Sequence, residues 1–385
     1  MVYITQPKPT RPTRLTQLIQ LGLLSLAIGS GAAVFAQPAP SVKPAGGPWA
    51  SGAGFDFDLG KKKNLKTRQS LSGMACNLDA KQQRICLMAF DEGVQARYAY
   101  IGNNELITDP EPLLLRTAPA GSELDAEAAA TDGSYFYVTG SHSAKRGDCA
   151  SNPESRHVIR FRLDPATGRA MRSPGGTAGS LVDYADTGRL WAIMQAQPGL
   201  APYVGERKCL GSEPPPKEPT LAGQQGVNIE GMAVQAGRLY FGFRGPVVND
   251  VARVLALDAD ALFNGGDVRA VLTRIALGPH RGIRDMIAVK SGLLLLAGPD
   301  DSAPNKGVGW TVSWWDGKAA ADDAAVVKPR LLAELDISGV TLRTCDAEIK
   351  LEAMTVLEET PDTYKLLLLS DGMCDGGPLA FTVPR

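Results

Sequence analysis

Four acidic residues recur at one place in a repeated stretch of this chain. Glu127, Glu230, Asp285 and Glu352 each stand near the start of a short apolar run that leads through a turn into a second apolar run. Carboxylates brought together by a repeat repel one another, so the set calls for counter-charges or a bound cation. Rings of oxygen ligands suit hard cations such as calcium. Arg244 and Arg284 lie in the same stretches, and Lys145 and Arg146 follow one of them. His142 closes a second run in Gly140-Ser141-His142-Ser143, a position for a general base or metal ligand. The candidate ligand-binding residues are therefore Glu127, His142, Glu230, Arg244, Arg284, Asp285 and Glu352, and the four acids are the candidate metal set. Asp300, Asp301 and Asp371 end second runs and would enlarge an acidic rim. The competing reading is a ring of acid–arginine pairs that only fixes geometry. There is no nucleophile elbow, Ser-His-Asp signature, phosphate-binding loop or H-E-x-x-H motif.

The elements that must position these residues are hairpins. Asn228–Val248 reads NIEGMAVQAGRLYFGFRGPVV and Gly282–Asp301 reads GIRDMIAVKSGLLLLAGPDD, with Asp285 standing 55 residues after Glu230. Asp125–Ser143 and Lys350–Gly372 are further copies, and Leu71–Gly93 is another, with Ser72 near the acidic slot. The apolar runs are short enough for strands, Leu239, Phe241 and Phe243 alternate with a period of two, and Gly or Asp-Gly turns divide the runs. An isolated hairpin cannot bury both faces, so repeated hairpins must stack. Radial stacking predicts an all-β fold, a β-propeller of five or six blades; a β-sandwich with coincidentally similar hairpins is the alternative. The interval between Glu127 and Glu230 leaves the blade count open. Ser180–Gln195 is either a degenerate hairpin or, as Leu190, Ile193 and Met194 favour, a short helical insertion.

The chain has 385 residues and a formal net charge of −1, so no basic field points to nucleic acid. Residues 1–36 read as a signal peptide. Lys8, Arg11 and Arg14 precede an apolar stretch too short to span a bilayer, and Val34-Phe35-Ala36 offers a cleavage site. Residues 37–54 read as a flexible linker, and 55–385 as one propeller domain. Phe55–Leu59 is expected as a strand completing the last blade, Lys61–Lys63 as a solvated turn, and the Trp310–Trp315 aromatics as interblade packing. Six cysteines suit an oxidising compartment, and neighbours along the proposed blades favour Cys76–Cys86, Cys149–Cys209 and Cys345–Cys374 among the possible pairings.

NIEGMAV with GRLYFGFRGPV, RGIRDMIAV with LLLLAGPDD, DAEAAATDGSYFYVTGSHSAKR, and LEAMTV with LLLLSDG resemble a bacterial family known as domain of unknown function 3616, over about residues 70–385. The resemblance implies a propeller-like fold and supplies no activity. A looser likeness to esterase-like phytase propellers is confined to acidic residues opening inner strands. The expected protein is a periplasmic or secreted monomer, off the membrane once its signal is removed, that binds a small polar ligand or calcium at its channel mouth. The alternatives are a calcium-dependent phosphoesterase and a scaffold for a protein partner.

Overall fold

Each repeated stretch is the inner hairpin of its own sheet in the computed structural model, which describes residues 39–119, 121–173, 180–211, 216–221, 223, 225–302, 307–322 and 324–385. The first blade holds Leu71–Leu78, Arg84–Phe90, Gln95–Ile101 and Leu106–Thr108, and the second is built on Ala126–Thr131, Tyr135–Gly140 and Val158–Asp164. The third runs Asn228–Gln235, Arg238–Val248, Val251–Asp258 and Val271–Ala276. The fourth runs Arg281–Val289, Gly292–Pro299, Trp310–Trp315 and Arg330–Leu335. The fifth has three strands, Lys350–Glu359, Thr363–Asp371 and Leu379–Pro384. Each inner strand packs on the next and the fifth packs on the first, so the ring closes at five blades, the lower expected count.

Apolar faces of adjacent blades meet in one buried cluster per interface. Phe136, Phe161 and Leu87 fill the first interface, while Phe241, Phe243 and Ile229 meet Val158 and Tyr137 in the second. The helical reading of the long interval holds. Of the helices α1 (Lys61–Arg68), α2 (Arg189–Ala196) and α3 (Ala259–Asn264), α2 buries Leu190 and Met194 in that second cluster and α3 adds Leu262. Trp310 and Trp314 pack against the cluster between the fourth and fifth blades, and Trp315 is buried between the third and fourth, as the packing reading required.

Three local expectations change. Lys61–Lys63 opens α1 rather than a turn. Phe55–Leu59 is not a strand; Phe55 and Phe57 instead drop into the closure cluster beside Phe90, held there by aromatic burial rather than by a ladder. The linker is a strap over its described part. Ser41–Val42 pairs in parallel with the outer strand of the fourth blade, Ala45 and Trp49 donate backbone N–H groups to the fifth, and Leu106 of the first donates to Ala50. Its Pro and Gly content misled because Trp49 is 6% exposed and anchors the segment. Residues 1–36, expected as a signal peptide, lie outside the described residues. No helix among those described is long and apolar enough to cross a membrane.

Every inner strand carries an irregularity at the same point, where the register skips one residue: between Leu71 and Gly73, Ala126 and Ala128, Ile229 and Gly231, Ile283 and Asp285, and Leu351 and Ala353. The skipped residues are Ser72, Glu127, Glu230, Arg284 and Glu352. A bulge leaves its extra residue out of the ladder and re-aims its side chain. In four of the five strands the position after it is small (Gly73, Ala128, Gly231 and Ala353); the neighbouring inner strand approaches closely there, and a Cβ on Gly73 would lie 2.9 Å from the Ala128 backbone.

Candidate functional site

The start of each first strand lies opposite the end of its second strand, as in Ala126 with Gly140, Asn228 with Gly245 and Lys350 with Asp371. Both ends therefore meet at one mouth of the channel, as the repeat implied. The bulge residues supply its inner ring, which is not the ring of four acids expected. Asp285 sits one residue past the bulge, and a slip of one residue turns a side chain to the other face. Arg284 takes the slot instead.

That exchange neutralises most of the ring. Arg284, 1% exposed, places Nε 3.0 Å from Glu230 Oε2 and pairs through Nη2 with Glu352 Oε1. Arg244 donates from Nη1 to Glu230 Oε1 at 2.9 Å and brings Nε to 3.1 Å from Asp301 Oδ1. The two Nε contacts are close ion pairs whose N–H groups point off the oxygen. Burial and the neighbouring Arg244 lower the Arg284 pKa to about 10, whereas Asp301 and Glu230 raise that of Arg244 against burial. Ser72 Oγ donates weakly to Glu352 Oε2 at 3.4 Å. Asp285 accepts from the Met286 N–H at 2.7 Å and from the Met354 N–H of the next blade at 2.6 Å. It is an interblade staple, not a member of the mouth. Glu230, Glu352 and Asp285 are thus committed to partners and do not assemble with Glu127 as an open carboxylate set.

Glu127 is the exception. Its carboxylate has no hydrogen-bond or ion-pair partner among the described residues, and burial, then repulsion from Glu230, Asp125 and Asp91, pushes its pKa well up. It lines a cavity of about 510 Å³ with Asp91, Glu123, Asp125, Glu154, Asn228, Asn152, Ser143, Lys145 and Arg146. Asp125 accepts from Ser141 Oγ, and burial raises its pKa. Asp91 has Oδ1 buried without a partner, and its pKa is raised by burial and by Asp371 and Asp125. Asp371 itself is bound by Lys350 at 3.2 Å, and Asp300 accepts from the Ser302 N–H at 2.8 Å, so neither widens the cavity lining. Five acids line it against two exposed bases, and one of the five, Glu154, is paired with Arg116.

His142 does not reach the mouth. It is fully buried, with Nδ1 3.0 Å from the Gly140 carbonyl oxygen and Nε2 without a partner, and burial lowers its pKa to about 4. Sequence reasoning missed Asp91 and Asp125. Asp91 follows Phe90, which pairs with Leu71 as Ser370 pairs with Leu351, so it is the first-blade counterpart of Asp371 and an alignment of strand ends would have found it. The one tight group of Cys, His, Asp or Glu side chains among the described residues is Cys345, Asp346 and Cys374. Both its sulfurs belong to a disulfide, so it is no metal centre. The three expected pairs, Cys76–Cys86, Cys149–Cys209 and Cys345–Cys374, are all formed.

A family model described as "Protein of unknown function (DUF3616)" matches residues 165–375. Among solved structures, a GH43 β-1,3-galactosidase with galactodeoxynojirimycin is 8% identical, covering 89% of this chain and 94% of its own at a TM-score of 0.40. An exo-β-1,3-galactanase from Clostridium thermocellum is 10% identical, covering 89% and 62% at 0.41. An arabinanase from Bacillus subtilis is 10% identical, covering 82% and 94% at 0.35. Such distant likenesses carry no argument about what this chain acts on. No curated protein matches the sequence.

Proposed function

Proceeding from a chain that belongs to the DUF3616 family of unknown function, we propose that this propeller binds a polar ligand in the acidic cavity at its channel mouth. One observation carries the reading. Of the three glutamates in the bulge ring, Glu230 and Glu352 are held by arginines, while Glu127 is left without a partner on a polar cavity. Glu127 is half-buried, and a partly desolvated charge without a partner costs stability, a cost that marks a site kept for a ligand. The paired members serve the purely structural reading, so the ring divides between scaffold and site. The excess of acids favours a cationic or donor-rich ligand and disfavours an apolar one. A phosphate ester would meet four acids besides the Arg116-paired Glu154, which weighs against the phosphoesterase alternative. The three disulfides favour an oxidising setting such as the periplasm or the medium.

The test is thermal unfolding of the full chain against a panel of divalent cations, polyamines, neutral oligosaccharides and phosphate esters, in wild type and Glu127→Gln. A ligand bound only to the native state raises the midpoint. The proposal expects at least one class to stabilise the wild type and to lose that effect in the variant. Shifts identical in both proteins across the panel would remove Glu127 from any site.

A further inference from the structure

We propose that a groove on the third blade binds a small organic anion, a carboxylate or phosphate group carried on an apolar body, between Arg253 and Arg274. The site is separate from the channel mouth and independent of the polar-ligand reading above. Arg253 of the strand Val251–Asp258 and Arg274 of Val271–Ala276 are direct cross-strand partners, so both project from one face of the sheet. Leu272 shares that face, and the stretch that follows α2 packs onto it. A Cβ on Gly199 would lie 2.6 Å from Leu272 Cδ2. The groove between this stretch and the sheet encloses about 430 Å³. Both arginines line it with Tyr203, Pro198, Pro202 and Val248, and no acid is in its lining among the described residues.

Like charges set directly opposite one another destabilise a sheet. The buried arginines among the described residues are Arg97, Arg160, Arg253 and Arg284. Asp56 and Asp109 act on the first, Asp260 pairs with the second, and Glu230 and Glu352 pair with the last. Arg253, 8% exposed, has no such acid; burial and then Arg274 lower its pKa against Tyr203. Its Nε and Nη1 donate to the carbonyls of Gly199 and Pro246 at 3.2 and 2.8 Å, and the guanidinium lies 5.1 Å from the centre of the Tyr203 ring. These contacts hold the guanidinium in place without neutralising its charge. Arg274 donates from Nη1 to the Ala324 carbonyl at 2.8 Å, and its Nε and Nη2 have neither a partner nor burial. Arg84 also rests on two carbonyls, yet Leu78 and Ile101 stand opposite it rather than a second guanidinium. An anion seated between Arg253 and Arg274 offsets their repulsion, and arginine is the side chain best suited to oxyanions. The prolines, Val248 and the Tyr203 ring supply apolar walls, which favour an anion with an organic body over a bare inorganic one.

Calorimetric titration of the full chain with benzoate, phenyl phosphate, inorganic phosphate and the uncharged benzamide tests this. Benzoate or phenyl phosphate should bind at least about tenfold more tightly than benzamide or inorganic phosphate, and the tighter of the two identifies the oxyanion. Arg274→Gln should weaken that anion by about tenfold or more. The same variant, measured without ligand, should melt at the wild-type midpoint or above it, because it removes one of two opposed like charges. A residue that only braced the fold would lower the midpoint and leave affinity alone. Glu127→Gln should bind the anion as wild type does, so the outcome here is separate from that at the mouth. No binding of either organic anion overturns the inference, as does equal affinity for benzamide or for inorganic phosphate. Equal affinity in wild type and Arg274→Gln overturns it too.

Discussion

His142 and Asp285 are polar side chains whose setting, rather than type, decides what they do. The His142 imidazole donates from Nδ1 to Gly140 and keeps Nε2 neutral and unpartnered, with its pKa lowered from 6.5 to about 4 by burial. The unfolded chain takes up this proton near pH 6.5 and the native state only near 4. The stability conferred by a neutral His142 is therefore complete above about 6.5 and is lost as pH falls toward 4. The loss amounts to roughly 3 kcal/mol at about 1.4 kcal/mol per pH unit. Urea unfolding of wild type and His142→Asn across that range should show a smaller loss in the variant, since Asn tolerates the positive φ and does not titrate. Comparing the two proteins also removes the raised carboxylates at the mouth, whose dependence has the opposite sign. Asp285 holds the Met354 N–H of the next blade, so Asp285→Ala leaves a buried donor unsatisfied. The expected cost is about 1–3 kcal/mol with ligand affinity unchanged. Lost affinity without lost stability would return Asp285 to the site.

At the scale of elements, the strap is the piece whose contribution is easiest to isolate. Asp375, fully buried, accepts from Ser51 Oγ at 3.0 Å, the Phe55 N–H at 2.9 Å, and Arg68 through Nε and Nη2 at 2.9 and 2.6 Å. One carboxylate thus joins the strap, α1 and the last blade where the ring closes. Asp375→Ala should cost about 3 kcal/mol and open residues 39–60 to limited proteolysis ahead of the blades. Uniform digestion would argue against a separable strap. The hairpins were legible because alternating apolar runs and Gly turns have few other outcomes. The bulge was not. Glu230 and Asp285 match when the stretches are laid side by side, yet the ladder aligns Gly231 with Asp285 and hence Glu230 with Arg284. A one-residue skip leaves composition and turn signals intact, so Arg284 was read as a neighbour of the ring when it is a member. The strap was hidden for a related reason, since its backbone bonds go to strands hundreds of residues away and leave no local pattern.

For the molecule as a whole, the ring is stabilised by five interblade clusters and by disulfides in three places. Thiol labelling under denaturing, non-reducing conditions should find no free cysteine, and reduction should cost about 2–4 kcal/mol per bridge. Stoichiometric labelling would contradict the pairing. The division of the mouth into a paired, structural sector and an unpaired, ligand-facing one is the claim on which the functional reading depends. It is tested most directly by the unfolding free energies of Glu127→Gln and Glu230→Gln, measured without added ligand. Neutralising Glu127 relieves repulsion from Asp91, Asp125 and Glu230, so that variant should be as stable as wild type or more so. Neutralising Glu230 weakens its bonds to the buried Arg284 and the half-buried Arg244 and should cost about 3 kcal/mol. Equal losses in the two variants would contradict the division and make Glu127 one more structural acid.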